Sequence, residues 1–312
     1  MENLLLSFKV IFPIFVYLSL GYFMRSVNLF DDYTAKKMNA TIFKVFLPVL
    51  LYYNIYKTDI GTAFNPKLCI YGASSIVLIY IILFITVPLI EKDNKKRSVI
   101  IQGIFRSNFV IFGLPVVTAL YDNTSTGVTA VLIAVITPIF NGLAVVVMEV
   151  FRGGKINVKS ILKGIVTNPL IVASALGVLS VLFGFKMNQT VEKCVSDLSK
   201  VATPLALVLL GANFRFSSIK NYKKQIAIGL IGKLVVVPCI FLTIAALLGF
   251  RGIELASLIA LFASPAAVSS YIMAEEMDGD GTLAGQYIVL GSIFSIFTVF
   301  IFVYVLKQLA LI

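Results

Sequence analysis

The sequence predicts an all-α integral membrane protein of ten transmembrane helices, built as two inverted five-helix repeats with broken, crossing helices four and nine. Three observations predict this fold class. First, 59% of the 312 residues are hydrophobic and only 13% are charged, which is more apolar surface than a water-soluble chain of this length can bury. Second, apolar windows of spanning length recur along the chain. Third, prolines recur in its two halves at a nearly constant spacing.

Each predicted span is a window of about 20 apolar residues, the length that crosses a bilayer core. The windows are 4–24, 36–56, 68–90, 98–120, 128–150, 162–184, 195–214, 226–249, 254–274 and 283–306. The first window lacks a convincing cleavage site and is read as a span, not a signal peptide. Short loops leave no room for an appended soluble domain, so the function is expected to reside in the helices.

The net charge of +11 does not indicate a nucleic-acid partner, because the basic residues are concentrated in the loops and near the helix ends. Most of the 26 Lys and Arg residues lie in the first, third, fifth and seventh loops. The positive-inside rule then predicts a multi-pass protein of the plasma membrane with both termini outside the cytoplasm. The acidic loop "EEMDGDG" is the exception, and we interpret its "DGDG" as a turn because the remaining ligands of a calcium loop are missing.

The two halves repeat each other at offsets of 150 to 156 residues. The matched positions, in chain order, are Pro13 with Pro169, "KVFLP" with "KVATP", Pro88 with Pro238, and Pro115 with Pro265. A repeat with an odd number of spans enters the membrane in opposite senses in its two copies, so residues 1–151 and 160–312 are expected to be inverted repeats. Inverted repeats with paired helix breaks point to a secondary transporter whose site lies at the midplane.

The two breaks are "FGLPVVTALY" at 112–121 and "FASPAAVSSY" at 262–271. Proline is tolerated at a helix start but not in its interior, so each span is predicted to consist of two half-helices. Gly113 and Leu114 would be the unwound link before Pro115, and Ser264 would cap the helix that starts at Pro265. The N–H groups of a half-helix start favour an anionic ligand. Ordinary proline kinks are the alternative.

Polar residues near the breaks supply the candidate substrate contacts. Asn108 lies seven residues before Pro115, on roughly the same helical face, and can donate to a carboxylate. Arg106 would lie about 200° from Asn108 around a helix, so the two are not expected to face one narrow cavity. The predicted substrate-binding set is Asn108, Gly113, Leu114, Pro115, Thr137, Asn141, Ser264, Pro265 and Ser269.

Three cations lie inside predicted spans: Lys44, Arg106 and Lys233. Each is eight or nine residues beyond a basic residue at the predicted cytoplasmic end, a depth of about 12 to 14 Å. Two interpretations stay open. The side chains could snorkel back to the interface or make a packing bond, or they could draw anions into an inner vestibule.

Several functions lack the residues they need. The chain contains no His, and its three Cys are isolated, which argues against an enzyme, a metal site or any cofactor. No Asp or Glu is clearly at the midplane, so a sodium/proton antiporter is disfavoured. Sodium coordination by Ser264, Ser269, Ser270 and Gln286 remains an alternative.

The chain resembles the auxin efflux carrier family, which includes bacterial organic-acid permeases and plant PIN carriers. The segments that carry the resemblance are "NATIFKVFLPVLLYYNI", "SNFVIFGLPVV", "ILKGIVTNPLIVASALG", "PLALVLLGANF" and "ASPAAVSSYIMAEEM". The resemblance implies a homodimer and an elevator-like movement of spans 3–5 and 8–10 against a scaffold of spans 1, 2, 6 and 7. It also places Asn108, Pro115 and Pro265 at the crossover where substrate binds.

The expected function is therefore transport of small organic anions. The long cytoplasmic loop of many plant PIN carriers is absent, which favours malate-like or malonate-like acids over auxin-like ones. Coupling to protons or to sodium stays open. The alternatives are a sodium-coupled symporter of the bile-acid type and a membrane sensor that binds a ligand without transporting it.

Overall fold

The protein is all-helical throughout the part of the chain that the structure describes. A computed structural model describes residues 2–57, 64–109, 117, 120–121, 127–152 and 158–312. The helices of the first half are α1 Glu2–Ser26, α2 Asp32–Thr41, α3 Leu47–Tyr56, α4 Pro66–Ile90, α5 Asn94–Phe105 and α6 Gly127–Phe151. Those of the second half are α7 Val158–Val166, α8 Pro169–Leu182, α9 Gln189–Asn213, α10 Lys223–Ile231, α11 Val237–Leu247, α12 Gly252–Ala263, α13 Ser269–Glu276 and α14 Gly281–Gln308.

Six of these segments are long and apolar enough to cross a membrane. They are Asp32–Tyr56, Pro66–Ile90, Gly127–Phe151, Gln189–Asn213, Ser218–Leu247 and Gly281–Gln308. Two shorter apolar helices, Pro169–Leu182 and Gly252–Ala263, lie within further predicted windows. An all-helical membrane protein is thereby confirmed, whereas the layout of ten spans in two inverted repeats stays a prediction.

Side-chain caps place the starts of several helices. Asn65 and Asn168 each precede a proline, and their side-chain oxygens accept from the backbone N–H groups of Leu68 and Leu170. Such an oxygen satisfies an N–H group that has no partner within the helix, and proline at the first helical position has no N–H to satisfy. Asp280 caps α14 in the same way, directly after the turn predicted in the acidic loop.

Two π-helical turns join pairs of helices into longer spans. Ile42–Phe46 links α2 to α3, and Gly232–Val236 links α10 to α11. Pro48 and Pro238 are each the second residue after these turns. A proline inside a helix removes a hydrogen bond and clashes with the carbonyl four residues earlier, and a widened turn relieves both problems.

Helices α1 and α9 pack backbone against backbone because glycines face the contact. A Cβ atom on Gly21 would lie 1.8 Å from the carbonyl oxygen of Val208, and one on Gly211 would lie 2.0 Å from that of Leu18. Small residues allow such close approach between membrane helices.

The most deeply buried helix is α12, in which every residue from Leu255 to Ala263 is buried. Helix α4, by contrast, exposes large apolar side chains such as Ile70, Ile85 and Leu89. An apolar outer surface around a buried helix suits a lipid environment. The residues between α12 and α13 therefore lie in the interior of the protein.

Candidate functional site at the crossing of two helix breaks

The second predicted break is present, but its cap differs from the prediction. Helix α12 ends at Ala263, and α13 begins at Ser269. Ser264 does not cap the following helix, because its hydroxyl donates to the carbonyl of Ala260 at 2.5 Å and so closes the end of α12. The N-cap residue of α13 is Val268, which makes no side-chain capping bond. The predicted N-cap role of Ser264 is therefore wrong.

The first break starts earlier than the sequence predicts. Helix α5 ends at Phe105, and Arg106 already has extended backbone angles, with φ −89° and ψ 133°. The predicted link residues Gly113 and Leu114, and with them Pro115, lie outside the described residues. Their predicted roles stay predictions.

The two breaks touch each other through hydrogen bonds. The backbone N–H of Asn108 donates to the carbonyl of Pro265 at 2.8 Å. The hydroxyl of Ser107 donates to the carbonyl of Leu261. In a continuous helix that carbonyl would accept from the residue four positions later, which is Pro265 and has no N–H. The first break thus satisfies backbone groups that the second break leaves open.

A cavity of about 80 Å³ lies against this crossing, and we call it the central cavity. Helices α3 and α9 form one wall, whereas α6 and the two breaks form the other. The lining residues are Leu47, Leu50, Leu51, Asn54, Arg106, Ser107, Asn108, Phe109, Thr137, Phe140, Asn141, Thr203, Ala206, Ala267, Val268 and Ser269. Of the predicted substrate residues that the structure describes, Asn108, Thr137, Asn141 and Ser269 meet here, whereas Ser264 and Pro265 do not line the cavity.

Arg106 is the one cation among the described residues that line the central cavity. Its side chain is 3% exposed and donates to Asn141 Oδ1 at 2.5 Å, to Met273 Sδ at 2.8 Å and to Gln102 Oε1 at 3.1 Å. None of these partners is charged, and no ion pair among the described residues involves Arg106. A buried charge without an opposite charge is costly unless an external group pairs with it.

Asn141 adds a hydrogen-bond donor to the same cavity. The residue is 1% exposed, and its Oδ1 accepts from Arg106, which fixes the orientation of the amide group. Its Nδ2 is buried and has no hydrogen-bond partner among the described residues. Asn141 therefore offers a donor without an acceptor beside a guanidinium without an opposite charge.

The prediction that Arg106 and Asn108 cannot face one cavity is wrong. It assumed a continuous helix, in which residues two apart point in different directions. The helix ends at Phe105, and the extended backbone after it brings both residues to the central cavity.

The other two predicted vestibule cations lie elsewhere. Lys44 is exposed and lines neither of the two cavities described for this site. Lys233 is 3% exposed, and its ammonium donates to the hydroxyl of Ser107 behind the crossing. Arg106 and Lys233 therefore do not snorkel, and their interior hydrogen bonds are packing bonds of the kind that the first interpretation also allowed.

A second cavity, of about 690 Å³, lies one helical turn away along α9, and we call it the wide cavity. Leu210 lines the wide cavity, and Ala206 lines the central one. The walls of the wide cavity are α2, the end of α9, α13 and α14. Two hydrogen bonds join these walls, from Asn39 Nδ2 to Glu276 at 2.8 Å and from Asn213 Nδ2 to the Tyr271 hydroxyl at 2.9 Å.

Neither this cavity nor the two buried polar residues Ser107 and Gln102 was predicted from the sequence. Ser107 and Gln102 had weak signals: Ser107 lies in the quoted segment "SNFVIFGLPVV", and Gln102 is one helical turn before Arg106. The four candidate sodium ligands do not line one cavity: Ser269 lines the central cavity, Gln286 the wide cavity and Ser270 a small separate one, whereas Ser264 lines none of the three.

A cavity in which a few polar side chains meet at two helix ends inside an apolar helical protein is consistent with a helical membrane transporter. Residues 6–303 match the family described as "Membrane transport protein", and the chain belongs to that family. This match confirms the resemblance to the auxin efflux carrier family. A transport family also agrees with the expectation that the chain is not an enzyme.

Two archaeal relatives are similar over nearly their whole lengths. An uncharacterized transporter of Methanothermobacter thermautotrophicus is 23% identical over 305 residues, which cover 93% of this chain and 95% of the relative. An uncharacterized transporter of Methanocaldococcus jannaschii is 21% identical over 306 residues, covering 95% and 97% of the two chains.

Proposed function

We propose that this protein is a secondary transporter of small organic anions that works by elevator-type alternating access. The observation that carries the proposal is the pair formed by Arg106 and Asn141 in the central cavity. A buried guanidinium without a carboxylate partner and an amide donor without an acceptor both lie there. A substrate carboxylate supplies the charge and the acceptor that the protein itself lacks.

The charge balance at the crossing favours one carboxylate. The carboxyl ends of α5 and α12 both lie there, and each carries about half a negative charge. Arg106 and Lys233 bring two full positive charges to the same region. About one positive charge is left over, and the N-terminus of α13 adds to it. A single carboxylate group would balance this remainder.

The size of the central cavity favours a small acid. About 80 Å³ is the space of roughly two or three water molecules. It suits the carboxylate end of a malate-like or malonate-like substrate better than the ring system of an auxin-like acid. In this proposal the wide cavity, one helical turn away along α9, would be the aqueous approach to it from one face.

The inverted-repeat layout is part of the proposal, and one pair of helix contacts supports it. A Cβ on Gly21 would meet the carbonyl of Val208, and a Cβ on Gly177 would lie 3.2 Å from the carbonyl of Tyr52. The two glycines are 156 residues apart, and so are their two partners. The contact between spans one and seven therefore corresponds to the contact between spans six and two. Two copies of one structural unit would make such a corresponding pair of contacts.

In this proposal one wall of the central cavity belongs to a fixed part of the protein and the other wall belongs to a moving part. Spans 1, 2, 6 and 7 would form the scaffold, which contributes α3 and α9 to the cavity. Spans 3–5 and 8–10 would form the transport domain, which contributes α6 and both breaks. Movement of one wall against the other would carry a bound anion between the two faces of the membrane.

The cellular setting is also proposed. The loop pattern of Lys and Arg places the wide cavity on the cytoplasmic side of the plasma membrane, with both termini on the opposite side. The proposed partners are then the substrate anion, the lipid bilayer and a second copy of the chain. The second copy is inferred only from the resemblance to the family.

Binding of malonate to the purified protein tests the proposal. Malonate should raise the thermal midpoint in detergent, and Arg106→Gln should weaken this binding about 100-fold, since removing one partner of a buried charge pair costs several kcal/mol. Lys44→Met is the matched control, because Lys44 also lies within a predicted span but lines neither of these cavities. Equal binding by Arg106→Gln and Lys44→Met would contradict an anion site at Arg106.

A further inference from the structure

The carboxyl end of α12 offers carbonyl groups to a cation. This helix ends at Ala263, and Pro265 supplies no N–H to its last turn. The end of a helix carries about half a negative charge, and its last four carbonyls have no helical partner. In transporters built on broken helices, such ends and the unwound carbonyls beside them coordinate the coupling sodium ion.

Lys233 is linked to this end of α12 by two hydrogen bonds. Its ammonium donates to the Ser107 hydroxyl, and that hydroxyl donates to the carbonyl of Leu261, two residues before the helix ends. Lys233 is 3% exposed and Ser107 is 4% exposed, so neither is a surface contact. The cation reaches the end of α12 through one hydroxyl group.

Among the residues that the structure describes, no carboxylate competes for the ammonium. The π-helical turn that carries Lys233 packs against α5, α10, α11, α12 and α14. Glu254 is the sole carboxylate on these five helices. It lies at the far end of α12, where it accepts a hydrogen bond from Asn65 at 2.5 Å. Arg106, the residue before Ser107, extends into the central cavity towards Asn141.

We propose that the Lys233 ammonium is a built-in cation that occupies the place of a coupling sodium ion at the carboxyl end of α12. Transport then needs no sodium, because the positive charge that stabilises the crossing is part of the chain. This inference rests on the proposed transport function for its physiological meaning, but the cation site itself can be tested by stability alone.

The test measures thermal midpoints of purified protein in sodium, lithium, potassium and choline chloride at equal ionic strength. The wild-type midpoint should be the same in all four salts. Lys233→Ala empties the space of the ammonium, so sodium or lithium should raise its midpoint by at least about 3 °C over choline. Lys233→Met fills the space without charge and should show no such rise. Lys44→Ala removes an exposed lysine from the other π-helical turn and should behave as wild type.

A wild-type midpoint that depends on sodium would overturn the proposal, as would a Lys233→Ala protein that sodium and lithium leave unchanged. If Lys233→Ala does not fold, the wild-type measurement still decides, because a built-in cation leaves no vacant sodium site. Uptake of labelled malate by wild type in sodium and in choline is the second arm, and the rates should agree within about twofold. Failure of all uptake would count against the proposed function, and the midpoints would still test the cation site.

Discussion

Replacement of Asn141 by Asp tests the anion site with almost no change in shape. The Asn141 oxygen lies 2.5 Å from Arg106 Nη2, so a carboxylate at this position would pair with the guanidinium inside the protein. The variant also loses the Nδ2 donor that lacks a partner. We expect Asn141→Asp to stay folded and to lose its affinity for organic anions.

The size of this effect follows from the geometry. Two opposite unit charges about 4 Å apart attract by roughly 4 kcal/mol at the effective dielectric constant of about 20 that suits proteins. An anion that binds the variant forgoes about this much attraction, which corresponds to an affinity loss on the order of 10³-fold. Asn141→Ala removes a neutral donor, worth about 1 kcal/mol to a bound anion, together with the oxygen that accepts from Arg106, but it adds no charge and should cost roughly tenfold or less.

The assay is calorimetric titration of malonate into purified protein, with chloride as the reference anion. Wild type should bind most tightly, Asn141→Ala less tightly, and Asn141→Asp least, while the thermal midpoint of the Asp variant stays at or above that of the Ala variant. If Asn141→Asp bound malonate as tightly as wild type, Arg106 would not be the anion-binding cation.

Three further predictions concern the break, the packing and the movement. Pro265→Ala restores an N–H group within the second break, so α12 should lengthen and anion binding should fall at least tenfold in titrations; unchanged binding would show that the break is not needed. Gly21→Ala should lower the free energy of unfolding by about 1 to 3 kcal/mol, because its methyl group would meet a backbone carbonyl. Gly142→Ala has open space at its Cβ and should be neutral or stabilising. Equal thermal midpoints of the two variants would refute the close contact. In a cysteine-free background, Cys at positions Asn39 and Glu276 should form a disulfide that blocks uptake until it is reduced; full uptake by the crosslinked protein would rule out movement between α2 and α13.

The second break could be predicted from the sequence because a proline inside an apolar span marks it. The prediction at Pro265 depended only on the missing N–H, a property of the residue itself, and α12 does end just before it. The cap was wrong because a serine hydroxyl can bond forwards or backwards along the chain. Ser264 bonds backwards to Ala260, and nothing in the sequence distinguishes the two cases.

The first break could not be located from sequence because a tertiary contact sets it. Neither Gly nor Pro follows Phe105, yet α5 ends there. The backbone N–H of Asn108 is taken by the Pro265 carbonyl, so it is not available to a continuing helix. A contact between residues 157 positions apart in the chain leaves no local signal.

The buried cations illustrate the same limit. Spacing along a helix gives the depth of Lys44, Arg106 and Lys233 but not the direction in which each side chain points. Lys44 proved exposed, whereas Arg106 and Lys233 are both 3% exposed. The inward direction depends on tertiary partners, because Asn141 of α6 accepts from Arg106 and Ser107 of the first break accepts from Lys233.

The most direct measurement is uptake of labelled malate into proteoliposomes, with proton and sodium gradients imposed separately. The account predicts saturable uptake that unlabelled small carboxylates inhibit, that Arg106→Gln abolishes, and that Lys44→Met preserves. Uptake that Arg106→Gln leaves unchanged, or the absence of uptake for every small carboxylate by folded wild-type protein, would contradict an anion transport site at the crossing of the two breaks.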